Sequence, residues 1–117
     1  MPLQLIPVRW LEQVCRIIAT GDLRLIQRTK DFSKEFQKGF PNDSEGEVED
    51  VFLDFLESEN PVGCPVNMDY PTGDTWEFFF LFKGRKTYGK IMLREGGRKV
   101  LLFSAHPPEK KRLCCEL

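Results

Sequence analysis

Three strand-like runs separated by glycine turns close this chain, and they leave few folds open to it. Thr75–Phe82, Thr87–Leu93 and Lys99–Ala105 are rich in aromatic and β-branched residues. Lys83-Gly84-Arg85-Lys86 and Glu95-Gly96-Gly97-Arg98 separate them, and Pro107-Pro108 ends the last. Connections this short join antiparallel neighbours, so the segment reads as a meander. Two-residue turns at Gly84-Arg85 and Gly96-Gly97 would set Phe82 opposite Thr87, Phe78 opposite Ile91 and Leu93 opposite Val100. Alternation then sends Trp76, Phe78, Phe80, Phe82, Ile91, Leu93, Val100 and Leu102 to one face, the core face. The other face receives Glu77, Phe79, Leu81, Tyr88, Lys90, Met92, Arg94, Leu101 and Phe103.

Helical patterns precede the strands. Trp10, Leu11, Val14, Cys15, Ile17 and Ile18 recur at helical spacing, with Gly21 placed as the stop. A second helical stretch reads from Asp22 through Leu23, Ile26, Thr29, Phe32 and Phe36 to Gly39, with a break near Asp31 as the alternative. A third starts at Ser44, where Ser44 and Glu47 fit a capping box, and Val48, Val51, Phe52, Phe55 and Leu56 make its apolar stripe. Asn60–Thr72, with three prolines and Gly63, reads as a long loop with a short edge strand around Val66–Met68. Helices first and strands after give an α+β fold, its N-terminal helices packed on one face of a C-terminal antiparallel sheet. At 117 residues the chain is one domain, with residues 1–8 and 107–117 read as flexible ends.

Charge is split along the chain. Between Gly39 and Phe82 there are eleven acidic residues and no Lys or Arg; from Lys83 onward ten basic residues face three acidic ones. The net of -1 therefore hides an acidic block, on the third helix, and a basic block carried by the strands. The acidic run is either a solvated helix face or a contact surface for a basic partner. No Cys pair has CxxC spacing and there is one His, so neither a metal site nor a disulfide framework is expected, and no cofactor. The opening residues lack a secretory pattern and the longest apolar run, Phe78–Phe82, is too short for a bilayer. The expectation is a cytoplasmic protein with free thiols and no membrane partner.

The second face of the meander carries the chemistry. Tyr88 and Lys90 lie two apart on one strand, Glu77 lies diagonally across from Lys90, and His106 ends the third strand near the level of Thr87 and Tyr88. Cations hold phosphates and aromatic faces stack bases, the combination single-stranded RNA binding uses. Cleavage of RNA without a metal needs a proton taken from the 2′-OH, charge held on phosphorus and a proton given to the 5′-oxygen. Tyr88, His106 and Glu77 are the catalytic candidates; Lys90, Arg94, Lys86 and Arg85 are the RNA-binding candidates. Each also has a plain structural reading: Tyr88 a strand aromatic, Lys90 and Arg94 solvated cations, Glu77 a cross-strand partner, His106 a turn residue.

At these residues the chain resembles the MqsR toxins of bacterial type II toxin–antitoxin pairs, within the RelE-like group. Trp10-Leu-Glu-Gln-Val-Cys-Arg-Ile-Ile-Ala-Thr-Gly-Asp-Leu23 resembles their first helix and its Gly turn. Val51-Phe-Leu-Asp-Phe-Leu-Glu-Ser-Glu59 resembles the end of a later helix, and Asp74-Thr-Trp-Glu, Thr87-Tyr-Gly-Lys-Ile91 and Val100-Leu-Leu-Phe-Ser-Ala105 their closing strands. The resemblance spans residues 9–106. It implies a RelE/MqsR-like fold, an mRNA endoribonuclease that arrests translation, and a neutralising antitoxin; the ribosome is a further partner to test, and separately Phe79, Leu81 and Phe103 on the second face motivate a second copy of the chain covering it. The family's active-site tyrosine, on a Tyr-x-Lys strand, falls on Tyr88 beside Lys90, and its Gln after the strand Trp falls on Glu77. Its lysine after the helix has no counterpart in Asn60–Met68, and its lysine after the last strand meets Ala105-His106. Either His106 or Arg94 replaces a missing group, or the fold is kept without cleavage as a non-catalytic RNA- or protein-binding module.

Overall fold

The structure, a computed structural model, describes residues 2–116. Its elements run β1 (Gln4–Leu5), α1 (Val8–Thr20), β2 (Ile26–Arg28), α2 (Lys30–Gly39), α3 (Glu45–Leu56), β3 (Val62–Val66), β4 (Gly73–Phe82), β5 (Arg85–Arg94) and β6 (Val100–His106), then a 3-10 turn at Cys114–Glu116. The six strands form one sheet in the order β1-β3-β4-β5-β6-β2. All neighbours are antiparallel except β2, which runs parallel to β6. The α+β class and the helices-then-sheet order are as expected.

Local chemistry explains the helices. Gly21, at φ 65°, ends α1 in the left-handed conformation that glycine adopts without a Cβ penalty. Thr29 caps α2 by accepting from the Phe32 amide at 3.1 Å. Ser44 and Glu47 form the expected capping box on α3. The Trp10 indole N–H donates to the Asp74 carbonyl at 2.9 Å and ties α1 to the start of β4. Inward residues of the helices (Trp10, Val14, Phe32, Phe36, Val48, Phe52) meet Trp76, Phe78, Phe80, Phe82, Ile91, Val100 and Leu102 in one continuous core.

The second helical stretch is corrected. Asp22 accepts from the amides of Arg24 through its side chain and of Leu25 and Ile26 through its carbonyl, closing a turn rather than a helix. Ile26–Arg28 then extends along Val100–Leu102. The three-and-four spacing from Ile26 to Phe32 spanned a buried strand residue and a helix face, two elements that meet the same core.

The β4–β5 turn is also corrected. Its central residues are Lys83 and Gly84, and Phe82 pairs with Arg85 and Trp76 with Ile91. Both turn residues have positive φ, 51° and 78°, as a mirror-image hairpin turn needs. Lys83 takes the position that costs a side chain, and its ammonium is held by Asp43 and by Glu47, the latter at 2.9 Å. The offset from the expected register is two residues, so each side chain keeps its face.

Between β5 and β6, Leu93 does pair with Val100, but the register shifts between Lys90 and Ile91: Ile91 pairs with Leu102, Lys90 with Ser104. Phe103 is the extra residue of this bulge. The shift places Ala105 on the core side, fully buried, and turns His106 to the opposite face, beside Tyr88. With an unbroken register His106 would pair with Thr87, whose side chain lies in the core.

The segment 60–72 is not the loop expected. Val62–Val66 is a strand between β1 and β4, starting four residues before the place assigned to it and ending two before. The ends read as flexible are packed: Gln4–Leu5 form the outermost strand, Ile6 is buried, and Leu113 is buried at the far end. Residues 1 and 117 lie outside the described residues. Cys64 and Cys115 are joined by a disulfide, which corrects the free-thiol reading for that pair; Cys15 and Cys114 are free. One apolar anchor per end, Ile6 and Leu113, carries no period for a sequence reading to detect.

The acidic face of α3 is in part internally paired. Arg28 Nε meets Glu49 at 2.6 Å and Arg28 Nη1 lies 3.8 Å from Glu45, while Glu47 meets Lys83. Asp50, Asp54, Glu57 and Glu59 remain exposed. Among the described residues no helix is long and apolar enough to cross a membrane.

Candidate functional site

Three central strands and the returning C-terminal segment build the site. β4 supplies Glu77 and Phe79, β5 supplies Tyr88, and β6 supplies His106; Tyr88 pairs with Phe79 on one side and His106 on the other. Their rings form a row, with Phe79 and Tyr88 edge to face at 6.3 Å and Tyr88 and His106 tilted at 5.3 Å. After Pro107-Pro108 the chain folds back from the end of β6 to β3, crossing this row, and ends in the turn at Cys114–Glu116. A cleft of about 220 Å³ remains between sheet and segment, lined by Glu77, Phe79, Tyr88, His106, Lys110 and Arg112 among others.

Glu77 lies at the bottom and is only 6% exposed. Its Oε1 accepts from the Tyr88 hydroxyl at 2.8 Å and its Oε2 from the Cys114 amide at 2.7 Å. Two donors on one buried carboxylate satisfy the rule that buried polar groups are bonded. Burial, and then the bond to Glu77, push the Tyr88 pKa well above its ordinary value. The phenol is therefore a proton donor throughout the physiological range and not a base. Burial, and then Glu77, also push the Cys114 thiol up.

His106 is poised differently. Its Nδ1 lies 2.8 Å from the Pro107 carbonyl oxygen. A carbonyl only accepts, so Nδ1 carries the proton and Nε2 of the neutral ring keeps a lone pair. The partner oxygen thus selects the tautomer that can take a proton at Nε2.

The structure brings Glu77, Tyr88 and His106 together and divides the expected cations. Lys86 lies beside the row, its ammonium 4.2 Å above the Phe79 ring. Lys90, directly opposite Glu77, sits over Phe103 at 5.4 Å. Arg85 lies on the opposite face, with its guanidinium over Phe40 at 4.9 Å. Arg94 shares the face but stands six residues along β5 from Tyr88, roughly 20 Å at about 3.4 Å per residue. Met92 and Leu101 are buried, with the Thr75 hydroxyl bonded to the Met68 sulfur nearby, so this face is not the open platform its alternation suggested.

Lys110, Arg112 and Cys114 were missed. The one signal was the triplet Lys110-Lys111-Arg112 between Pro108 and Leu113, a basic run too short to read as a tail and followed by an apolar anchor.

Comparison with protein-family models, with curated proteins and with solved structures finds no match for the chain.

Proposed function

We propose that this chain is a metal-independent endoribonuclease that cuts mRNA at the Tyr88–His106 cleft, the toxin of a type II toxin–antitoxin pair similar to MqsR. The observation that carries the reading is His106, whose Nδ1 is committed to a carbonyl and whose Nε2 makes no hydrogen bond among the described residues, its ring 5.3 Å from that of Tyr88 in a cleft edged by cations. His106 Nε2 takes the 2′-OH proton as O2′ attacks the adjacent phosphorus. The P–O5′ bond breaks, and the departing oxygen takes a proton from the Tyr88 hydroxyl, leaving a 2′,3′-cyclic phosphate and a 5′-hydroxyl. Lys86, Lys110 and Arg112 offset the charge on phosphorus, and Phe79 offers a ring for a base to stack on. A neutralising protein partner and action on free or ribosome-held mRNA belong to this reading.

The test is incubation of the purified chain with a long defined RNA in EDTA, with mapping of the cut ends. Discrete 5′-hydroxyl ends are expected, falling by about 10²–10⁴-fold in His106→Ala and in Tyr88→Phe. RNA left intact by the native chain, with and without ribosomes and with and without a dithiol reductant, sinks the proposal.

One observation favours a second reading, a module that binds RNA without cutting it: both Glu77 oxygens already hold donors, and one of those donors is the Tyr88 hydroxyl. Salt-sensitive RNA affinity without cleavage products identifies that outcome.

A further inference from the structure

The cleft is smaller than its proposed substrate. Ligand pockets hold about 300–1,000 Å³, and a dinucleotide step needs at least the lower part of that range. The space here is about 220 Å³. What limits it is the C-terminal segment. Three attachments hold the end of that segment on the sheet. Leu113 is buried, the Cys114 amide is bonded to Glu77, and Cys115 is disulfide-bonded to Cys64 on β3, 51 residues away in sequence. Glu116 reinforces the turn by accepting from the Leu113 amide at 3.0 Å. Of the three attachments, only the disulfide can be opened chemically without moving the sheet.

We infer that the C-terminal segment is a redox-released strap over the Glu77–Tyr88 pair. A dithiol reductant gives two electrons and two protons to the Cys64–Cys115 bond and is itself oxidised to a disulfide. Cys64 stays on β3 as a buried thiol, while Cys115 leaves with the end of the strap. The Cys114 amide then separates from Glu77 Oε2 and the cleft opens toward β3. Lys110 and Arg112 remain tethered through Pro107-Pro108 at the His106 end, where they can follow a phosphate. In the oxidised chain the closed strap keeps RNA out.

The gating of RNA rests on the ribonuclease reading; the release of the strap does not. The experiment therefore uses two readouts on the same samples: native chain oxidised, native chain with dithiothreitol, and Cys115→Ser without reductant. The first is hydrogen exchange at the amides of residues 113–116, with alkylation and mass measurement to count free thiols. The second is affinity for, and cleavage of, a short single-stranded RNA. Exchange at Cys114 should rise at least tenfold on reduction and equally in Cys115→Ser, and RNA affinity or turnover should rise at least tenfold with it. Unchanged exchange after the thiol count has risen by two overturns the strap. Faster exchange with RNA affinity present but unaltered overturns the gating. Faster exchange with no RNA affinity in any sample retains the strap and overturns the ribonuclease reading instead.

Discussion

Tyr88 on β5 donates its phenolic proton to Glu77 on β4 across 2.8 Å, diagonally over the sheet. The bond joins the two candidates that the Tyr-x-Lys strand and the residue after Trp76 had singled out, and it commits both. Replacing Tyr88 with Phe leaves Glu77 buried with a single donor, the Cys114 amide. The expected cost is about 1–3 kcal/mol of stability, measured by urea unfolding.

Burial of Tyr88, and then the same bond, set an alkaline limit. The folded Tyr88 phenol titrates above the unfolded value of about 10, so its contribution is complete below about pH 10 and is lost as pH rises through the folded pKa. Stability of a Tyr70→Phe background should therefore fall on the alkaline side more steeply than that of the Tyr70→Phe/Tyr88→Phe double variant. Parallel curves from the two proteins contradict it.

Gly89 sits at a contact that no side chain fits. A Cβ there would come within 2.7 Å of Phe78 Cε2 and 2.9 Å of Phe52 Cε1, two rings packed edge to face at 5.8 Å. Both rings are fully buried, so neither can turn into solvent. Gly89→Ala should cost about 1–3 kcal/mol by overpacking, read as a lowered denaturation midpoint at unchanged slope. A midpoint equal to that of the native chain would show that the rings yield freely.

What could be read from the sequence was what one element states alone. The capping box at Ser44 and Glu47, the Gly21 stop and the facing of Trp76, Phe78 and Phe80 depend on residues within a turn or strand of one another. The facing even survived a register error, because moving the turn one residue, to Lys83-Gly84, shifts the pairing by two. Features that depend on distant partners were missed. Ile26–Arg28 is a strand only because β6 lies alongside it, and Val62–Val66 only because β1 and β4 flank it. Among the site residues, Tyr88 and Glu77 followed from alternation, and His106 reached them through a bulge that no local pattern announces. Arg85, three residues from Tyr88 on β5, falls by alternation on the opposite face, where its guanidinium meets Phe40 at the end of α2.

Arg28 and Glu49 form the least exposed ion pair among the described residues, at 2.6 Å, with Glu45 3.8 Å from the same guanidinium. Arg28→Ala would leave Glu49, 8% exposed, without its partner. Removing one member of such a pair strands the other, and here about 1–3 kcal/mol is expected because the guanidinium still reaches water. Glu49→Gln in the Arg28→Ala background should recover part of that loss, since the stranded charge is gone. A double-mutant cycle with no coupling between the two positions would show that solvent already screens the pair.

The cations can be sorted by salt dependence. Each phosphate contact to a single strand contributes about 0.7 to the slope of log affinity against log salt. Lys86 stands over Phe79 and Lys110 lines the cleft, so Lys86→Ala and Lys110→Ala should each reduce the slope by about 0.7 under reducing conditions. Arg85, stacked on Phe40, and Arg94, near the far turn, should leave it unchanged when replaced by Ala. The contrast separates a localised cleft from the general pull of a basic half-chain, which would lower affinity similarly for all four substitutions. An equal loss of slope in Arg94→Ala and Lys110→Ala would place the RNA along the whole strand rather than at Tyr88 and His106.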